Sequence, residues 1–246
     1  MKDNFSKQAV EYAKYRPDYP SSLFDFILSH VKQRSAAWDC ATGNGQTAKV
    51  LARFFDKVHA TDISQQQLDN APSAPNIIYT MEAAESTAFN DDEFDLVTVS
   101  QALHWLDFDK FYKEVNRVTK KKGWIAAWSY SLPTVSPQID KVFDDDFYKS
   151  VIGPYWDAER KHVDAHYKSI PFPFKEIDCP VFNIHFNWSL ADLQGYASTW
   201  SAVQKFIKAN GFNPVDELAN KLQPVWKEER MDVVFPVHMR MGQVLK

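Results

Sequence analysis

Between Ser21 and Tyr130 the apolar residues switch repeatedly between two spacings. Leu23, Phe26, Ile27 and Val31 recur every three to four positions and predict a helix, with Ser21 or Ser22 as its cap. Residues 36–41 form a short, mostly apolar run, as expected of a strand buried on both faces. Helical spacing returns at Ala48, Leu51, Ala52 and Phe55, and strands are predicted at 57–61, 76–81 and 94–99. Phe108, Phe111, Tyr112, Val115 and Val118 make another helical stripe, stopped near Gly123, and 124–129 reads as a fifth strand.

Such alternation predicts a parallel sheet with helices on both faces, in which ligands bind beyond the carboxyl ends of the strands. Asp39, Asp62, Glu82 to Glu85 and Ser100 to Trp105 all fall at or just past those ends. After Tyr130 the rhythm breaks. Residues 131–174 carry several prolines and aromatics with little strand signal, and they read as an insertion rather than a linker. A strand region follows at 176–186. Ser189 with Asp192 predicts a capping box for a helix bearing Leu190, Leu193, Ala197 and Trp200. Asn213-Pro214 opens another helix, with Val215, Leu218, Ala219 and Leu222 on one face. The last strand is predicted at 233–241, where Pro236 suggests a bulge or a frayed start. The expected organisation is a core with an N-terminal arm over 1–130, then pocket-building insertions and the last strands of the same sheet over 131–246.

Composition narrows the partners. The chain has 246 residues, 45% of them hydrophobic and 15% aromatic, enough for one large core and an apolar cavity besides. A net charge of −4 argues against nucleic acid, which requires a clustered basic face. The run Lys120-Lys121-Lys122 reads as the cationic end of a helix. Two cysteines are too few for a disulfide framework, the opening residues are polar, and the mean hydropathy is −0.42. A soluble cytoplasmic protein without a membrane partner is expected.

The chemistry concentrates in Asp39-Cys40-Ala41-Thr42-Gly43-Asn44-Gly45 and in Asp62. Gly43 and Gly45 permit a tight turn and close backbone approach, with helix-start amides facing a ligand. Asp39 suits an ammonium group or an ordered water, and Asp62, ending the second strand, suits the two hydroxyls of a ribose. A ligand with a cationic amino-acid end and a ribose has the shape of S-adenosylmethionine.

With these motifs in place the chain resembles the class I S-adenosylmethionine-dependent methyltransferases, in particular the small-molecule group with the type-11 methyltransferase domain. Asp39-x-x-x-Gly43-x-Gly45 is similar to that family's first motif, Asp62 to its second, and Ala84-Glu85 to its adenine-side motif. Ser100-Gln101-Ala102-Leu103-His104-Trp105 looks like its fourth-strand motif, and Arg117-Val118 with Lys122-Gly123-Trp124 like the lead into its fifth strand. Tyr15-Arg16-Pro17-Asp18-Tyr19-Pro20, Pro154-Tyr155-Trp156 and Thr199-Trp200-Ser201 are typical of a branch that includes trans-aconitate methyltransferase-like proteins. The resemblance implies a three-layer Rossmann-like α/β fold, with a mostly parallel seven-stranded sheet, an antiparallel last strand and an aromatic-rich C-terminal subdomain. Its cofactor would be S-adenosylmethionine, held by Tyr12, Arg16, Asp39, Ala41, Gly43, Gly45, Asp62, Ile63, Ala84, Glu85 and Gln101. Ala41 stands where the family has its first loop glycine, and a methyl group fits there if the local φ is negative.

The implied reaction is direct displacement of a methyl group from the sulfonium onto a small-molecule acceptor, with a carboxylate or hydroxyl oxygen favoured. A carboxylate needs no base at neutral pH; for other acceptors His104 is the candidate base, with pocket-wall and packing roles left open. Trp105, Trp128, Tyr130, Trp156, Tyr167 and Trp200 are the candidate acceptor pocket, and Arg160 is a candidate partner for a carboxylate. No metal is expected: His162 and His166 have helical spacing but no third ligand. Neither cysteine has a catalytic setting. Two alternatives stay open, a non-catalytic S-adenosylmethionine-binding protein and a nicotinamide-dependent dehydrogenase, the latter lacking a full G-x-G-x-x-G run.

Overall fold

The computed structural model describes residues 18–246. One mixed sheet runs in the order β3-β2-β1-β4-β5-β8-β6, with β7 also paired to β8. β1 (Ala36–Cys40), β2 (Lys57–Asp62), β3 (Ile77–Met81), β4 (Phe94–Ser100) and β5 (Thr119–Tyr130) are mutually parallel, while β8 (Met231–Gln243) runs antiparallel to β5. β6 (Lys175–Ile177) and β7 (Phe182–Trp188) pair with successive stretches of β8 and so occupy one lane. The seven-stranded layout expected from sequence is therefore drawn as eight segments in seven lanes. The interruption at 178–181 contains Pro180, which has no amide to give to the ladder, and four residues there face three of β8.

Side-chain alternation along the strands makes the three layers. Ala37, Leu96, Ala126 and Trp128 face a core shared with α1 (Ser21–His30), α2 (Gln46–Leu51) and the C-terminal helices Leu190–Ser198, Ser201–Asn210 and Pro214–Leu222. Trp38, Cys40, Val97, Val99 and Ile125 face the opposite core, beneath Phe111, Tyr112, Val115 and Val118 of helix Phe108–Val118. The Ser189–Asp192 capping box and the Asn213 cap both form as their sequences predict. Residues 131–174 form short helices, among them Pro137–Lys141, a π-helical stretch Val142–Lys149 and Arg160–Asp164.

Several local expectations are corrected. Pro20 is the residue that enters α1, so Ser21 and Ser22 lie inside its first turn and do not cap it. Helix Phe108–Val118 passes directly into β5, which puts the three lysines at the start of a strand; Lys120 there pairs with Asp95 at 2.9 Å. Pro236 makes no bulge, because its pairing with Asn183 keeps the β7–β8 register and it lies one residue past the last β5 pair. His166 follows the end of helix Arg160–Asp164 in a left-handed conformation, so it does not share a helical face with His162. Among the described residues no helix is long and apolar enough to cross a membrane.

Candidate active site

β1 and β4 are neighbours, yet the chain proceeds from β1 toward β2 on one side and from β4 toward β5 on the other. The loops leaving such a switch point diverge and open a crevice at the carboxyl ends of the strands. Here they enclose a cavity lined by Ala41, Thr42, Gly43 and Asn44 after β1, by Asp62, Ile63 and Ser64 after β2, and by Ser100, Gln101, Ala102, His104 and Trp105 after β4. Tyr130 ends β5 on the same wall, and Tyr19 closes one side. The C-terminal half contributes Trp156, Asp157, Arg160, Tyr196, Trp200 and Ser201.

The loop after β1 is held open by backbone geometry. Gly43 and Gly45 have φ of 58° and 77°, the left-handed region that glycine occupies without penalty. A Cβ on Gly45 would sit 2.6 Å from the Tyr79 hydroxyl, so this glycine is fixed by packing and lies off the cavity wall. At Gly43 a Cβ would meet nothing within 4 Å, which leaves a cradle that a ligand can fill. Ala41 does not meet the condition under which its methyl group fits without strain, since its φ is +52°. Gln101, just past the end of β4, is likewise left-handed at +54°, and its Oε1 accepts the amide of Tyr130 at 2.9 Å. Two non-glycine residues in this region on one wall mark strain concentrated at the site. Ala41→Gly is expected to relieve the penalty, less the extra entropy of the unfolded chain, for a net gain of about 0.5–1 kcal/mol. Thermal unfolding should register it as a rise of roughly 1–4 °C in Tm; a fall in Tm would contradict the strain.

The two acids divide the work differently from the sequence reading. Asp39 is fully buried beneath the loop, its carboxylate accepting the hydroxyls of Thr42 and Thr98, the latter at 2.8 Å. Burial outweighs those bonds and pushes its pKa up to about 6. Asp39 therefore shapes the loop from below and does not line the cavity. Asp62 is on the wall, with Oδ2 accepting the amide of Gly43 and Oδ1 that of Ser64, each at 2.9 Å.

At the other end of the cavity His104 stands in a 3-10 turn (Leu103–Trp105), and its Nδ1 lies 3.1 Å from the Tyr167 hydroxyl. Burial, reinforced by Arg160 and His162, lowers its pKa to about 3, so the imidazole is neutral across the physiological range. Arg160 donates Nε to the Tyr148 hydroxyl at 2.7 Å and to Asp164 at 3.2 Å, and its guanidinium lies 4.6 Å from the centre of the Trp156 ring. Its Nη atoms make no hydrogen bond to any described residue, and the side chain lines the cavity. Asp157, nearby, is bound to Lys205 at 2.6 Å.

Of the expected pocket residues, Trp105, Tyr130, Trp156 and Trp200 line the cavity. Trp128 and Tyr167 do not. Trp128 is wholly buried against Phe24 and Tyr19, because its position on β5 turns it toward α1. Tyr167 is equally buried and reaches the site only through His104. Ala84 is buried, and Glu85 turns away to accept the amide of Asp107 at the start of helix Phe108–Val118. Ile63 and Gln101 are on the wall; Tyr12 and Arg16 lie outside the described residues. Sequence reasoning missed Ser64, Asp157 and Tyr196. Ser64 is signalled as the cap of helix Gln65–Asp69, and Tyr196 by its place one turn before Trp200, whereas Asp157 has no local signal. Cys40 is buried with its thiol pushed well above the usual range, in keeping with a packing role.

A strand-order switch point with a glycine cradle, an acid at the end of β2 and an aromatic vestibule is the arrangement of a group-transfer enzyme on a nucleotide-like cofactor. The methyltransferase-domain family matches over residues 38–127, from β1 into β5. A Dictyostelium discoideum protein named as a candidate methyltransferase is 33% identical across 98% of this chain and 95% of its own length. A candidate type II methyltransferase from Anaeromyxobacter dehalogenans superimposes with a TM-score of 0.86, at 35% identity, over 94% of this chain and 99% of that one. A Saccharomyces cerevisiae protein, CRG1, named as a candidate S-adenosylmethionine-dependent methyltransferase, is 20% identical over 94% of this chain and 92% of its own length. The chain belongs to the methyltransferase-domain family and is a methyltransferase, which sets aside the nicotinamide-dependent reading.

Proposed function

We propose that the protein transfers the methyl group of S-adenosylmethionine to a carboxylate oxygen of a small-molecule acid. The residues present suit that cofactor: Gly43 leaves a cradle free of side chain, Asp62 offers carboxylate oxygens beside it for ribose hydroxyls, and Ile63 and Gln101 complete the wall. S-adenosylmethionine supplies, when bound, an electrophilic methyl group on a sulfonium. The aromatic rings of the vestibule favour a cation at that position and exclude water from the acceptor.

The observation that carries the acceptor class is Arg160, a cation set into an aromatic cavity with its Nη atoms turned to no described protein partner. Such a guanidinium matches an anionic oxygen pair. His104 supports the same reading, since an imidazole titrating near 3 is a poor base for a hydroxyl or an ammonium. The wall carboxylates are engaged, Asp62 by loop amides and Asp157 by Lys205. An acceptor already ionised at neutral pH needs none of them as a base. This agrees with the trans-aconitate-like branch that the sequence resembles.

The test begins with calorimetry on cofactor-stripped protein. S-adenosylmethionine and S-adenosylhomocysteine should bind and NAD should not. Carboxylic acids, alcohols and amines are then offered with methyl-deuterated cofactor, and products are read by mass spectrometry. Labelled methyl esters are expected. Labelling confined to alcohols or amines would overturn the acceptor class, and cofactor binding without turnover of any acceptor would favour the non-catalytic alternative.

A further inference from the structure

We propose that Tyr167 is a positioning residue that locks His104 in the tautomer with its proton on Nε2, so that His104 donates a hydrogen bond to the acceptor and does not serve as its base. The inference rests on the methyl-transfer reading above and assigns a role within that site.

Burial fixes the direction of the bond between the pair. The Tyr167 side chain is fully buried, and His104 is the hydrogen-bond partner of its hydroxyl among the described residues. A buried phenol proton left without an acceptor is costly, and an imidazole nitrogen is a stronger acceptor than a phenol oxygen, so the hydroxyl gives its proton to the ring. Nδ1 of His104 lies 3.1 Å away and is the atom placed to receive it. A neutral imidazole that accepts at Nδ1 carries its hydrogen at Nε2. That second nitrogen makes no hydrogen bond to any described residue, while the ring itself lines the cavity.

The backbone gives an independent sign that Tyr167 is placed for this purpose. His166 and Tyr167 are consecutive non-glycine residues in the left-handed region, with φ of 53° and 60°. The Tyr167 amide returns to the carbonyl of His162 at 2.8 Å, and its own carbonyl is held by Arg240 at 3.1 Å. Strain of this kind persists only where the surroundings over-determine it, and here it drives one phenol into the core against one histidine. The consequence is selectivity. An N–H at the acceptor position stabilises an oxygen that is already anionic and offers no lone pair to a nucleophile that must first lose a proton.

The test reads the tautomer directly in the wild-type protein. Long-range proton–nitrogen correlation spectra of ¹⁵N-histidine-labelled protein, with His104 assigned by its absence from His104→Gln, should show Nε2 protonated and Nδ1 bare. A protonated Nδ1 would overturn the proposal whatever the acceptor proves to be. The measurement needs neither cofactor nor acceptor, so its failure is separate from failure of the methyl-transfer reading. His104→Gln keeps an N–H donor but provides no base, and should retain activity within about tenfold of wild type while His104→Leu falls on the order of tenfold further. Tyr167→Phe should mix the two tautomers in the same spectra. Equal losses in the Gln and Leu variants, together with a wild-type kcat/KM that falls at low pH through an enzyme group, would also overturn it.

Discussion

Replacing Arg160 with Met is expected to raise the KM for the acceptor by roughly 10- to 150-fold while leaving the Kd for S-adenosylmethionine within about twofold. The magnitude follows from the worth of a charged hydrogen bond in a partly desolvated site, about 1.5–3 kcal/mol. Met preserves an unbranched apolar stem against Trp156 but removes the charge and every donor. Lys at the same position should recover part of the loss, since it restores a point charge without the planar fork. The variant also gives up the bonds from Nε to Tyr148 and Asp164, so its Tm must be measured beside its kinetics. A folded Arg160→Met enzyme with unchanged acceptor KM would refute the anchoring role. Loss of cofactor affinity instead would reassign Arg160 to the carboxylate of the cofactor's amino-acid end.

The strands and the switch point were legible because each buried strand is a short apolar run bounded by its own turn chemistry, and β1 and β2 carry acids at or next to their carboxyl ends. The glycine loop was legible for the same reason. What the sequence left open is direction. Trp128 and Tyr130 are two residues apart on β5 and face the same core, yet only Tyr130 reaches the cavity, because Trp128 lies deeper along the strand under Tyr19. Asp39 reads as a ligand contact by position, but two threonines, one of them 59 residues away on β4, close over its oxygens. Ala41 shows the limit of a substitution argument: the sequence carries the condition that alanine fits if φ is negative, but not the φ itself, which is positive because the path of the loop is set by Asp62 and by the pairing of Thr42 with Thr61. Arg160 and Tyr167 belong to the insertion, where helices too short for a periodic pattern place side chains by tertiary contact alone.

Asp62→Ala should raise the Kd for S-adenosylmethionine by the larger factor, roughly 30- to 1000-fold, or about 2–4 kcal/mol. Part of that is direct, through hydrogen bonds to the ribose worth about 1–3 kcal/mol. The remainder is indirect. Both carboxylate oxygens accept backbone amides, from Gly43 in the first loop and from Ser64 in the second, so one side chain ties together the two loops that form the cofactor wall. Asp62→Asn separates the contributions. It is close to isosteric, but whichever way the amide turns, its NH2 must face one of those two backbone N–H groups, and a donor opposes a donor. The Asn variant should therefore bind cofactor nearly as poorly as the Ala variant, and its Tm without cofactor should also fall. Were Asp62 only a staple between loops, both variants would lose Tm while an excess of S-adenosylmethionine restored full thermal stabilisation. Were it only a ribose contact, Tm without cofactor would not move. The two hydrogen bonds in the structure require both quantities to change together.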